Sequence, residues 1–209
     1  MKYLFLFVCI LSASLVYMGL RTQAKGMDVA DTIKSEKPDD LPVATLAGGC
    51  FWCLESEFRA IKGVVYTVSG YTGGSVDNPT YQDVTTGETG HAEAVDVYYD
   101  PDIITYRELV DYFLRKAHDP TQLNRQGVDV GTQYRSAIFY HDETQKEQAE
   151  AAIKAAQADK VWDDDIVTEI KPTQRFWPAE DYHQQYYEKY EQQNGRPHIR
   201  VLLKKKKAL

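Results

Sequence analysis

Cys50 and Cys53 stand two residues apart in the run Gly48-Gly49-Cys50-Phe51-Trp52-Cys53, a spacing suited to thiol redox chemistry or to a thiolate nucleophile. Leu54, Phe58 and Ile61 follow at helical intervals, which places both thiols at a predicted helix start. Unpaired N–H groups and the helix dipole favour an anion there, so a Cys50 thiol with a lowered pKa is expected. Bringing it from about 8.5 down by ~1.5 units takes roughly 2 kcal/mol. The glycine pair allows a tight turn and close approach to a ligand. Two other uses of the cysteines fit less well. A structural disulfide would close a very short loop, for which the chain-entropy gain is only about 2 kcal/mol. A zinc site needs four ligands, and His91, His118, His141, His183 and His198 are too scattered to complete one. No metal is expected.

The second candidate is an acid. In a predicted strand over residues 91–99, alternation puts Glu93 on the face of Val95, Val97 and Tyr99 and opposite Ala92, Ala94, Asp96 and Tyr98. A carboxylate on the apolar face is desolvated, its pKa rises, and as a neutral acid it can donate a proton beside a thiolate. An exposed glutamate at a strand end fits the same pattern, and periodicity leaves the two open. His91, next to it, reads as a satisfied polar group.

The elements that must position these groups are legible in outline. Strands are predicted over residues 43–46, 64–69, 91–99, 136–140 and 166–170. Thr105 and Glu108 form a capping box ahead of Leu109, Val110, Phe113, Leu114 and Ala117, and Asp142 with Gln145 opens an alanine-rich helix ending near Lys160. Pro178 suits the first turn of a final helix reaching about Tyr190, whose Tyr182, Tyr186 and Tyr190 stripe packs on the domain. Residues 69–90 read as a long functional loop and residues 119–134 as another polar loop. Trp162, Phe176 and Trp177 read as core or rim aromatics. Strands and helices mix without strict alternation, which gives an α+β class.

With 209 residues, 43% of them hydrophobic and 26% charged, the chain can bury one good core. A formal charge of −7 gives no footprint for nucleic acid. Met1-Lys2, an apolar run over residues 3–20, and Arg21 have the pattern of an export signal or, uncleaved, of a membrane anchor. The expectation is therefore an extracytoplasmic protein, periplasmic or secreted, with anchoring through residues 3–20 if the leader is retained. In an oxidising compartment the cysteine pair needs a dedicated reductant. The chain divides into a leader (1–24), a polar linker (25–40), a catalytic domain (41–195) and a basic tail (196–209), with the lysines at 204–207 solvated.

The opening motif resembles the active-site signature of A-type peptide methionine sulfoxide reductases. So do Asn78-Pro79-Thr80-Tyr81, the run from Gly87 to Val95, the run from Asn124 to Ser136, and the run from Ala179 to Tyr186, in the family's order. The resemblance implies a two-layer ferredoxin-like sandwich with a mixed sheet, flanking helices and long active-site loops. It implies that Cys50 attacks the sulfoxide sulfur and that Glu93 protonates the departing oxygen. Tyr81 and Tyr134 would bind that oxygen, Asp129 would support them, and Phe51 with Trp52 would hold the substrate methyl. The substrate would be the S epimer of methionine sulfoxide, free or in oxidised proteins, with no cofactor and a thioredoxin-like reductant as partner. The chain departs from many family members in one respect: residues 186–209 contain no cysteine. Cys53 is then the expected resolving thiol, with a one-cysteine cycle using an external thiol as the alternative. A thioredoxin-like disulfide oxidoreductase also carries Cys-x-x-Cys at a helix start, but it would show strand–helix alternation and lack the Glu93 and Tyr134 segments.

Overall fold

The protein is described by a computed structural model over residues 38–200. Strands β1 (Val43–Gly48), β2 (Val64–Thr72), β3 (Ala92–Tyr99), β4 (Arg125–Gln126), β5 (Asp129–Val130), β6 (Ser136–Tyr140), β7 (Glu169–Pro172) and β8 (Trp177–Pro178) alternate irregularly with five α-helices. These are α1 (Phe51–Arg59), α2 (Tyr81–Thr85), α3 (Tyr106–Tyr112), α4 (Glu143–Ala158) and α5 (Tyr186–Asn194). Six strands form one sheet in the order β7-β6-β1-β3-β2-β8, and β4 pairs with β5 in a separate ribbon. Only β6 and β7 run parallel, so the sheet is mixed. The class is α+β, as expected.

Strand β3 lies at the centre, paired to β1 and β2, and is buried along its whole length. Val95 and Val97 join Leu46, Phe51, Leu54, Phe58, Leu109, Val110, Phe113, Leu114 and Ala149 in one core, which covers one face of the sheet with α1, α3 and α4. Burying each of these large side chains is worth about 1.5–3 kcal/mol. The other face holds a smaller cluster of Ala47, Ala92, Ala94, Ala137 and Phe139, covered by Phe176. Glu93 follows the parity of Val95 and Val97, so it belongs to the helix-covered face.

Local signals held where a cap carried them. Thr105 and Glu108 form the reciprocal capping box of α3, and the Asp142 side chain accepts the N–H of Gln145 at the start of α4. Beyond α3 the chain continues as a π-helical turn, Phe113–Ala117, ending where His118 bonds the Phe113 carbonyl. Strand β2 runs on past residue 69 to Thr72, in register with Ala92, and the following loop starts at Gly73 with φ of +82°. Pro178 does not open a helix. It lies opposite Gly70 in edge strand β8, a position where a missing N–H is tolerated, and the last helix starts only at Tyr186.

The expected localisation, extracytoplasmic with anchoring through residues 3–20 if the leader is retained, requires correction as to the anchor. Among the described residues no helix is long and apolar enough to cross a membrane. The longest helix, α4, has 16 residues and is rich in charged and polar side chains, whereas a span needs about 20 apolar ones. The leader at 3–20 and the lysines at 204–207 lie outside the described residues.

Candidate active site

Strand β1 delivers the chain to Gly49, whose φ of +93° turns it into α1 with Cys50 as the N-cap. A side chain at Gly49 would strike Gln126, and one at Gly48 would strike His118 and Phe113. The glycines therefore let protein pack closely behind the motif, where the sequence reading expected a ligand. Cys50 and Cys53 are half-buried, one helical turn apart, and not joined in a disulfide. The backbone N–H of Cys53 bonds the Cys50 carbonyl at 3.0 Å, and their side chains hydrogen-bond to each other.

Glu93 sits directly behind this helix start. Its Oε2 accepts the N–H of Phe51 at 2.9 Å, so the first orphan donor of α1 goes to the carboxyl. Burial pushes the Glu93 pKa up to about 8 against the pull of that N–H, and the Asp129 carboxylate adds to the rise. Glu93 is thus a neutral acid at pH 7. The expected lowering of Cys50 does not occur. The hydrogen bond with Cys53 and burial push the Cys50 thiol well above its ordinary value, with Glu93 adding when charged and the Trp52 N–H pulling weakly down. The resting site holds a thiol beside a carboxylic acid.

The other sequence-derived residues gather around this pair. Burial keeps the phenols of Tyr81 and Tyr134 protonated, and both feel Glu93, Cys50 and Asp129. Tyr81 opens α2 after a Thr80–Asp83 capping box, and its N–H bonds Glu180 Oε1 at 3.0 Å. Tyr134 ends a single 3-10 turn, Thr132–Tyr134, beside the β4–β5 ribbon that carries Asp129. Phe51 is almost fully buried, its ring 5.7 Å from Tyr71 and 5.0 Å from His183. Trp52 is partly exposed, stacked on Tyr186 at 3.8 Å, and its Nε1–H donates to His183 Nδ1 at 2.9 Å.

Several neighbours were not singled out as site residues from the sequence. Arg200 clamps both Asp129 oxygens, at 2.9 and 3.1 Å. Tyr187 bonds Cys53 at 3.1 Å, and Tyr71 donates to Glu180 at 3.0 Å. Their signal was weak because each acts through a partner far away in sequence. His91 is buried and satisfied by Gly74 and Val76, as expected. Arg135 pairs with Glu169 at 3.5 Å. Among the described residues no cluster of side chains could hold a metal ion.

The family model described as peptide methionine sulfoxide reductase matches residues 42–209. The chain belongs to this family, A type. The peptide methionine sulfoxide reductase MsrA of Natronomonas pharaonis is 54% identical over 146 residues, covering 70% of this chain and 82% of the relative. Mxr1 from Saccharomyces cerevisiae, in reduced form, superposes with a TM-score of 0.68 at 36% identity, over 78% of this chain and 90% of Mxr1. Mxr1 in complex with Trx2 gives a TM-score of 0.51 at 29% identity, over 73% and 91% of the two chains. As an A-type methionine sulfoxide reductase, the protein reduces methionine sulfoxide through a catalytic cysteine.

Proposed function

We propose that Cys50 is the nucleophile and Glu93 the acid in reduction of the S epimer of methionine sulfoxide, and that Cys53 resolves the product. The observation that carries this reading is the buried Glu93 carboxyl, bonded to the N–H next to Cys50 and pushed up to about 8. The Cys50 sulfur attacks the sulfoxide sulfur, and negative charge builds on the sulfoxide oxygen. Glu93 protonates that oxygen while the Tyr81 and Tyr134 hydroxyls, kept protonated, donate to it. The hydroxyl ends on Cys50 as a sulfenic acid and the thioether departs. The proton lost by Cys50 returns Glu93 to its neutral form, so the net change is thiol plus sulfoxide to sulfenic acid plus thioether. Trp52, partly exposed and backed by the buried Phe51 ring 6.4 Å away, offers an aromatic wall suited to an apolar, polarisable methyl thioether group.

Cys53 then condenses with the sulfenic acid to give a disulfide, which a thioredoxin-like dithiol reduces by exchange. The side-chain hydrogen bond between the cysteines supports the first step, and the complex of Mxr1 with Trx2 supports the second. Each reductase type handles one sulfoxide epimer. The test is a dithiothreitol-driven assay on a peptide with resolved epimers. Methionine should form from the S epimer alone, and turnover of the R epimer instead would sink the assignment.

A further inference from the structure

Cys53 has a neighbour that the chemistry above leaves unused. Tyr187 lies in α5, 5% exposed, with its hydroxyl 3.1 Å from Cys53 Sγ. The phenol is fixed from several sides. Trp52 stacks on the adjacent Tyr186 at 3.8 Å, Arg59 pairs with Glu188 at 3.0 Å to tie α5 to α1, and the His198 ring stacks on Tyr187 itself at 5.0 Å. A helix docked in this way has little freedom to turn the hydroxyl aside.

The direction of the hydrogen bond follows from the two groups. A thiol is a weak donor and a phenol a strong one. Burial, then the Cys53 charge, hold the proton on Tyr187, so the O–H donates and the sulfur accepts. Such a bond is stronger to a thiolate than to a thiol. Among the described residues, other titratable or charged groups facing Cys53 include Cys50, Glu93 on β3, and Arg200 of the C-terminal segment. Of these, Glu93 opposes a charge on the sulfur when it is itself ionised, and Arg200 favours one.

We propose that Tyr187 is a positioning residue for the resolving step: its hydroxyl holds the Cys53 sulfur as a thiolate aimed at Cys50. The inference rests on the reading of Cys53 as resolver. In this step a Cys53 sulfur lone pair forms the S–S bond to Cys50 and the S–O bond of the sulfenic acid breaks. The oxygen leaves with the bonding electrons and takes up the proton given up by Cys53, so one water is released. Cys53 is oxidised and Cys50 is reduced by the same amount. No outside oxidant is needed.

The experiment is a single turnover with the full chain and one equivalent of sulfoxide peptide, without reductant. Methionine is quantified, the sulfenic acid is trapped with a carbon-acid probe, and the Cys50–Cys53 disulfide is followed by peptide mapping. Tyr187→Phe should form methionine at the wild-type rate, while disulfide closure at pH 7 slows roughly tenfold, as loss of one hydrogen bond to a charged sulfur implies. Its closure rate should recover as pH is raised. Closure at the wild-type rate with the wild-type pH profile would overturn the proposal. Equal slowing of methionine formation would overturn it too, because that marks a structural role. Cys53→Ser separates the two readings. If it fails to prolong the sulfenic acid, Cys53 is not the resolver; if it prolongs the sulfenic acid and Tyr187→Phe does not, only the role of Tyr187 is lost.

Discussion

Glu55, within α1, and Glu93, packed behind the start of that helix, are each 1% exposed, yet their surroundings differ. Glu55, in the middle of the helix, accepts from Thr67 Oγ1 at 2.9 Å, Ser69 Oγ at 3.2 Å and the Gln185 N–H at 2.8 Å. It ties α1 to β2 and to the start of α5. Glu93, at the mouth of the helix, has one hydrogen bond among the described residues, from the Phe51 N–H, and it faces Asp129 and the two cysteines. Burial pushes both up, to about 7 for Glu55 and about 8 for Glu93. Burial raises the pKa at both positions; what sets them apart is the neighbouring groups. Surrounding donors turn a buried carboxyl into a structural clasp, and a carboxyl left short of donors beside a thiol is available for proton transfer.

The largest expected effect tests this contrast directly. Glu93→Gln should slow methionine formation in a single turnover by roughly 10²–10⁴-fold, the usual worth of a general acid. Glu55→Gln should leave that rate within about threefold of wild type. If Glu55→Gln lost as much chemistry, the division between clasp and acid would fail.

The stability effects should run the other way. Glu55→Gln turns one accepting oxygen into a donor facing donors, which costs about 1–3 kcal/mol in urea unfolding. Glu93→Gln removes a carboxylate that is costly to bury and should unfold no more easily than wild type above pH 8. The sign of the pH dependence follows from both raised values. The folded state holds these protons more tightly than the unfolded chain. Their contribution is therefore complete below about pH 4.5 and is lost as pH rises through about 7 for Glu55 and about 8 for Glu93. Wild-type stability should fall between pH 5 and 8.5, and Glu93→Gln should flatten the upper part of that fall.

The contrast also marks what could be read from the chain. Glu93 was accessible because strand parity, a local property, placed it with Val95 and Val97. The Cys50 N-cap followed from local helical spacing, and the capping boxes from three-residue patterns. Pro178 misled because the β8 pairing to Gly70, a long-range contact, outweighed its preference for a first helical turn. The raised Cys50 thiol was invisible for a related reason. Its largest cause is the hydrogen bond with Cys53, then burial and the charge of Glu93, and these meet only in the folded chain. Tyr187 and Arg200 reach the site only by tertiary folding, and no periodicity marks them.

Arg200 offers the smallest test of the comparison, through the charge around Glu93. The Asp129 carboxylate pushes Glu93 up and Arg200 pulls it down, and the two are paired through both oxygens at 2.9 and 3.1 Å. Replacing Arg200 with Met leaves Asp129 uncompensated, so the basic limb of the single-turnover pH profile should move up. Asp129→Asn should move it down. Both side chains are partly exposed, so screening keeps each shift to roughly half a pH unit. High salt should shrink both shifts. Glu55, buried beside Arg59 and Glu188 on the far stretch of α1, should not respond to either change. Shifts of the same sign in the two variants would mean that the Asp129–Arg200 pair acts by placing the β4–β5 ribbon, and that the charge seen by Glu93 is set elsewhere.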